Sequence, residues 1–156
     1  MEQGICCFIG HRNISETEEL ESKLYGIVED LIISRDAKTF LFGSKSQFNN
    51  LCYNVVSSLK GKYPYIKRVY VRAEFPIIPE SYEEYLLGMY EATYYPQKIN
   101  NAGKAAYIER NVHMIDESQI CVVYYSEECL PSKRKSGTKI ALDYAMNRKK
   151  EIIRLE

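Results

Sequence analysis

Apolar residues fall in short runs separated by stretches of helical period. Ile5-Cys6-Cys7-Phe8-Ile9 does not alternate with polar residues, the pattern of a strand buried on both faces. Ser15-x-x-Glu18 is a capping-box start. Leu20, Leu24, Ile27, Val28 and Leu31 follow at spacings of three and four, which predicts one amphipathic helix. Thr39-Phe40-Leu41-Phe42 predicts a second strand, ending at Gly43. Phe48, Leu51, Cys52, Val55 and Leu59 mark a second helix that stops near Gly61 and Pro64. Val69-Tyr70-Val71 centres a third strand, and 81–93 reads as a tyrosine-rich helix followed by a loop containing Pro96. A helix over 103–117 leads to a fourth strand, Ile120 to Tyr124, and a polar loop, 126–136, leads to a helix over 137–148. Ile152-Ile153 belongs to a fifth strand.

Strands alternating with helices predict a parallel sheet covered on both faces, joined by right-handed crossovers. The expected architecture is α/β, a Rossmann-like three-layer sandwich of about five parallel strands. No repeat, linker or low-complexity tract divides residues 1–156, so a single domain is expected.

Composition changes this picture little. The chain has 21 basic and 21 acidic residues, and zero net charge argues against nucleic acid as a partner. A local basic run, Lys133-Arg134-Lys135, remains. No apolar stretch approaches the roughly 20 residues that span a bilayer, and the short run after Met1 lacks the form of a secretory signal. The expectation is a soluble cytoplasmic protein with no membrane partner. Of the five cysteines, Cys6, Cys7, Cys52, Cys121 and Cys129, none forms a Cys-x-x-Cys pair, and only His11 and His113 are available to help. No metal and no cofactor are expected. Cys6, Cys7 and Cys121 stand in apolar runs, where cysteine acts as a small hydrophobe.

Open α/β sheets bind ligands outside the carboxyl ends of their strands, where strand order reverses. That singles out three loops: Gly10-His11-Arg12-Asn13, Gly43-Ser44-Lys45-Ser46, and the one ending at Ser136-Gly137-Thr138. The last places a glycine and two hydroxyl residues at a helix start, where free N–H groups and the helix dipole favour a phosphate. A plain N-cap explains the same residues. Arg12 can grip a phosphate or carboxylate with two hydrogen bonds, or be an ordinary surface arginine. His11 beside it can donate to a ligand or move a proton. Gly43-Ser44-Lys45-Ser46 lacks the second glycine and the trailing Gly-Lys-Ser/Thr of a Walker loop, and no Gly-x-Ser-x-Gly elbow is present. Glu74, just past the third strand, can contact a ribose, act as a base, or merely form an ion pair. His113, inside a helix, reads as a packing residue. Tyr82, Tyr85, Tyr90, Tyr94 and Tyr95 suit a core or a partner interface, and also base stacking.

Phe8-Ile9-Gly10-His11-Arg12, Phe42-Gly43-Ser44, Arg110-Asn111-x-x-Met114-Ile115-Asp116 and Ser136-Gly137-Thr138 with Asp143-Tyr144-Ala145 follow one another along nearly the whole chain. In this order they resemble the SLOG superfamily, which unites the Smf/DprA and Lonely-guy proteins. The Gly-His-Arg start is similar to its YpsA/YoqJ-like branch. The resemblance implies a Rossmann-like fold that binds nucleotides or nucleotide-derived ligands. It also implies a pocket lined by Gly10, Arg12, Gly43, Ser44, Gly137 and Thr138, faced by Arg110. A homodimer is compatible with it.

Lonely-guy enzymes release a base from a nucleoside monophosphate using a glutamate in Pro-Gly-Gly-x-Gly-Thr-x-x-Glu. Ala141 stands at that glutamate here. A methyl group cannot stabilise charge developing on a ribosyl centre. Asp143, two residues on, would point about 200° away around the helix. The sequence therefore predicts a module that binds or senses a nucleotide-derived, phosphate-containing molecule. The alternatives are a hydrolase of N-glycosidic or phosphate bonds using Glu74 with His11 or Arg110, and an interaction module working through the tyrosine-rich helix.

Overall fold

A computed structural model describes residues 3–126 and 136–155. The expected loop 126–136 therefore lies almost wholly outside the described residues, with Cys129 and the Lys133-Arg134-Lys135 run in it. The chain runs β1 (Ile5–Gly10), α1 (Glu18–Ser34), β2 (Thr39–Phe42), α2 (Gln47–Lys62), β3 (Lys67–Val71), α3 (Glu80–Leu87), β4 (Ala92–Tyr94), α4 (Lys104–Glu117), β5 (Ile120–Tyr124), α5 (Gly137–Asn147) and β6 (Glu151–Leu155). All six strands are parallel, in the order β4-β3-β2-β1-β5-β6. This is the Rossmann-like α/β sandwich that the alternation predicts.

Alternation along the strands separates two cores. Cys6 and Phe8 of β1 and Val122 of β5 face α1 and α2, packing with Leu24, Val28, Phe48 and Leu59. Cys7, Ile9, Cys121 and Val123 face the other way, onto Met114 and Ile115 of α4 and Ala141, Leu142 and Ala145 of α5. A strand buried on both faces has no polar positions to alternate, hence the unbroken apolar run of β1. The thiols of Cys6, Cys7, Cys52 and Cys121 are all buried, and burial pushes Cys6 and Cys52 far up from ordinary thiol acidity. Cys7 and Cys121 are register partners with their sulfurs 3.6 Å apart.

Two local expectations are corrected. The cap of α1 is Thr17, whose Oγ1 accepts from the Leu20 N–H at 3.0 Å, not Ser15. The chain is held extended just before it, because the Ile14 N–H donates to Gln47 Oε1 at 2.7 Å, so the helix begins only after that tether. The tyrosine-rich stretch is not one helix to residue 93: α3 ends at Leu87, capped by Gly88, and 92–94 pairs with 69–71 as a sixth strand. Side chains of β3 pull this segment onto the sheet edge. Arg68 grips the Glu91 carboxylate through Nε at 3.1 Å and NH2 at 2.8 Å, and Arg72 NH1 donates to Thr93 Oγ1 at 3.1 Å.

The tyrosines thereby separate. Tyr90 is half-buried against Tyr53 and Tyr70, and burial pushes its hydroxyl far up from the ordinary phenol range. Tyr94 bonds His113 Nε2 at 2.7 Å, and Tyr85 is exposed. His113 is thus a packing residue, its basicity lowered by burial. Among the described residues no helix is long and apolar enough to cross a membrane.

Candidate functional site

Strand order reverses between β1 and β5, so the crevice for a ligand opens at their carboxyl ends. A cleft of about 620 Å³ lies there and extends across β2 to β3. All three loops singled out by sequence line it: Gly10, His11 and Arg12; Gly43 and Ser44; Ser136, Gly137 and Thr138. Glu74 and Arg110 line it too.

Each loop is held by identifiable bonds. Asn49 of α2 accepts from the Gly43 N–H with Oδ1 and donates to the Phe8 carbonyl with Nδ2, both at 3.3 Å, tying the ends of β1 and β2 together. Ser46 caps α2, its Oγ accepting from the Asn49 N–H at 3.1 Å and from the Ser44 hydroxyl at 2.8 Å. His11 is buried between Tyr124 and Tyr125, and its Nε2 lies 2.9 Å from the Ser126 N and 3.0 Å from the Ser126 carbonyl oxygen, accepting from the one or donating to the other according to the ring tautomer. Either way that nitrogen is committed to joining the end of β1 to the end of β5. Ser136 caps α5 by accepting from the Lys139 N–H at 3.0 Å. Its hydroxyl is thus the plain N-cap, while the N–H groups of Gly137 and Thr138 are first-turn donors with no intrahelical acceptor.

The glycines serve two purposes. A Cβ at Gly10 would overlap the Phe48 ring and stand 2.7 Å from its Cβ. At Gly43 it would come within 2.8 Å of Arg110 and 2.7 Å of Met114. These two make room for protein side chains rather than for a ligand. At Gly137 a Cβ would meet no atom within 4 Å among the described residues.

Arg110 is the most unusual group in the cleft. It is only 3% exposed. Its guanidinium donates to the Gly43 carbonyl and, at 3.3 Å, to Asn111 Oδ1, and it lies 5.3 Å from the centre of the Tyr107 ring. No carboxylate pairs with it among the described residues. Burial pushes it down to about 10, so it remains a cation at neutral pH. Glu74 accepts a hydrogen bond from the Tyr107 hydroxyl, which pushes the pKa of that phenol up. Arg12 is exposed, and Arg72 and Lys45 complete the cationic lining. Four basic side chains therefore face a single acidic one among the described lining residues. An electroneutral chain has concentrated positive charge in one cleft.

Ala141, where Lonely-guy enzymes carry glutamate, is buried in the core between α5 and the sheet. Asp143 does not line the cleft; it pairs with Lys139 at 3.0 Å.

Sequence reasoning missed Asn49, Arg72, Phe75 and Tyr107 as lining residues. Signals for three of them existed. Asn49 interrupts the apolar stripe of α2, Arg72 follows β3 as Arg12 follows β1, and Tyr107 precedes Arg110 by three residues, on the same helix face. No protein-family model matches the chain, and no curated protein matches it in sequence.

Proposed function

We propose that the protein binds or senses a nucleotide-derived, phosphate-containing small molecule in this cleft, in the manner the SLOG resemblance implies. The observation that carries the reading is Arg110: a buried guanidinium lining the cavity with no carboxylate partner among the described residues. A lone buried charge is costly unless something compensates it, and an anionic guest does so. The first-turn amides of α5 and the side chains of Arg12 and Lys45 supply further donors for the same anion.

A thermal-shift panel of AMP, ADP, ADP-ribose and NAD tests this. A bound ligand at a hundredfold excess over its Kd stabilises by about 2.7 kcal/mol, a rise in Tm of roughly 5–10 °C at this chain length. Arg12→Ala is expected to shrink that rise without changing the Tm of the free protein. No rise with any member of the panel, or a full rise in Arg12→Ala, counts against the reading.

One observation favours a second reading, a hydrolase of N-glycosidic or phosphate bonds. Glu74 is the one carboxylate among the described lining residues, and the Tyr107 hydroxyl orients it. His11 adds less than the sequence suggested, because its Nε2 is bonded to Ser126. Chromatography of nucleoside monophosphates incubated with the protein decides this reading. Release of free base or phosphate that vanishes in Glu74→Gln supports it, and release no greater than in that variant removes it.

A further inference from the structure

The cleft has two unlike ends. Its cationic end lies over β1, β2 and α5, with Arg12 and the Gly137–Thr138 amides, and Arg110 of α4 stands between the two ends, against the Tyr107 ring. Its other end, beyond β3, is walled by aromatic rings from three separate elements: Phe75 from the loop after β3, Tyr82 from α3 and Tyr107 from α4. From β1 to β3 is two strand spacings, about 10 Å.

These rings are partly uncovered yet braced. Phe75 is 55% exposed and Tyr107 39%, although both line a cavity. The Phe75 carbonyl accepts from Arg72 Nε at 3.3 Å, which fixes its backbone. The plane of Tyr82 is set by stacking on Tyr85, with 6.3 Å between centres and 15° between planes. Tyr107 is fixed through its hydroxyl to Glu74 and by the Arg110 guanidinium over its ring. Open aromatic faces held in place beside a cavity suit a flat, apolar-faced guest, since stacking needs a π-surface and little hydrogen bonding. Glu74, acceptor-only, stands where it can take a hydroxyl or amino donor of the same molecule.

We infer that the β3 end of the cleft is a stacking subsite for an aromatic base, so that the protein recognises nucleosides bearing a phosphate and discriminates against sugar phosphates without a base. This rests on the proposed phosphate site at the other end and adds to it which half of the ligand gives selectivity. Tyr82 carries the subsite, and because stacking is tolerant of base identity, purine and pyrimidine nucleotides bind within a few-fold of each other.

Calorimetric titrations with AMP, CMP, ribose 5-phosphate and inorganic phosphate test the inference. AMP and CMP are expected to bind at least tenfold more tightly than ribose 5-phosphate. Tyr82→Ala is expected to lower AMP affinity about tenfold or more while leaving ribose 5-phosphate unchanged, and Tyr82→Phe to retain wild-type affinity. The Tm of each variant confirms that it is folded. Equal affinity for AMP and ribose 5-phosphate overturns the subsite while leaving the phosphate site standing, as does an equal loss of both ligands in Tyr82→Ala. Absence of binding by all four overturns the phosphate site and the subsite together.

Discussion

Replacing Arg110 by methionine is expected to lower the affinity for ADP ten- to a hundredfold while leaving the protein folded. The side chain spends three of its five N–H donors on the Gly43 carbonyl and Asn111 Oδ1, and it lines the cleft with no ion-pair partner among the described residues. A charge-assisted hydrogen bond to a phosphate contributes about 1.5–3 kcal/mol, which is the predicted loss. Methionine retains the unbranched apolar stem that packs beside Gly43 and Met114. Two effects on the free protein oppose each other. The cost of burying an uncompensated cation disappears, and the Gly43 carbonyl loses its donor at a cost of about 1–3 kcal/mol. The Tm of the free variant should therefore stay within several degrees of wild type, while the ADP-dependent rise is largely lost. Calorimetric Kd values with parallel melting curves measure both. Undiminished ADP affinity in Arg110→Met would remove the observation on which the functional reading stands.

Gly10→Ala is expected to produce the largest loss of stability of any single methyl addition near the cleft. The new Cβ would lie inside the Phe48 ring envelope and 2.7 Å from the Phe48 Cβ, an atom fixed to the backbone of α2. Phe48 is fully buried and also packs on Tyr124, so its ring has no open space to enter. Overpacking of this kind costs about 3 kcal/mol, a fall of roughly 10 °C in Tm. Ala at 137, where a Cβ meets no described atom, should leave Tm nearly unchanged and report instead on ligand approach. Thermal denaturation of both variants distinguishes a glycine kept for packing from one kept for access. Similar Tm values for the two would contradict this assignment.

The contrast between these glycines measures what was legible beforehand. Gly10, Gly43 and Gly137 look alike in sequence, each beside a strand or helix end, and the same phosphate-loop reasoning selects all three. Only the packing of Phe48 and Arg110 against the first two reveals that their missing side chains serve the protein itself. His11 shows the same division. Its position after β1 marks it for the site, but whether its Nε2 faces a guest or the Ser126 backbone depends on where β5 ends beside it. Tyr90 and Tyr82 belong to one tyrosine-rich stretch, yet one joins the core and the other lines the cleft.

The sequence alone determined the layered α/β fold, because a doubly buried strand must be apolar throughout and a covering helix must carry one apolar stripe. It also singled out the loops after the first, second and fourth strands, all of which line the cleft. Tertiary structure alone decided the sixth strand, which Arg72 holds at Thr93 and Arg68 at the preceding Glu91. It alone decided the aromatic lining of the cleft and the burial of Arg110 without an ion-pair partner among the described residues. Those properties arise between side chains far apart in the chain, on α3, α4 and the loops after β2 and β3, and local periodicity holds no record of distances across a fold.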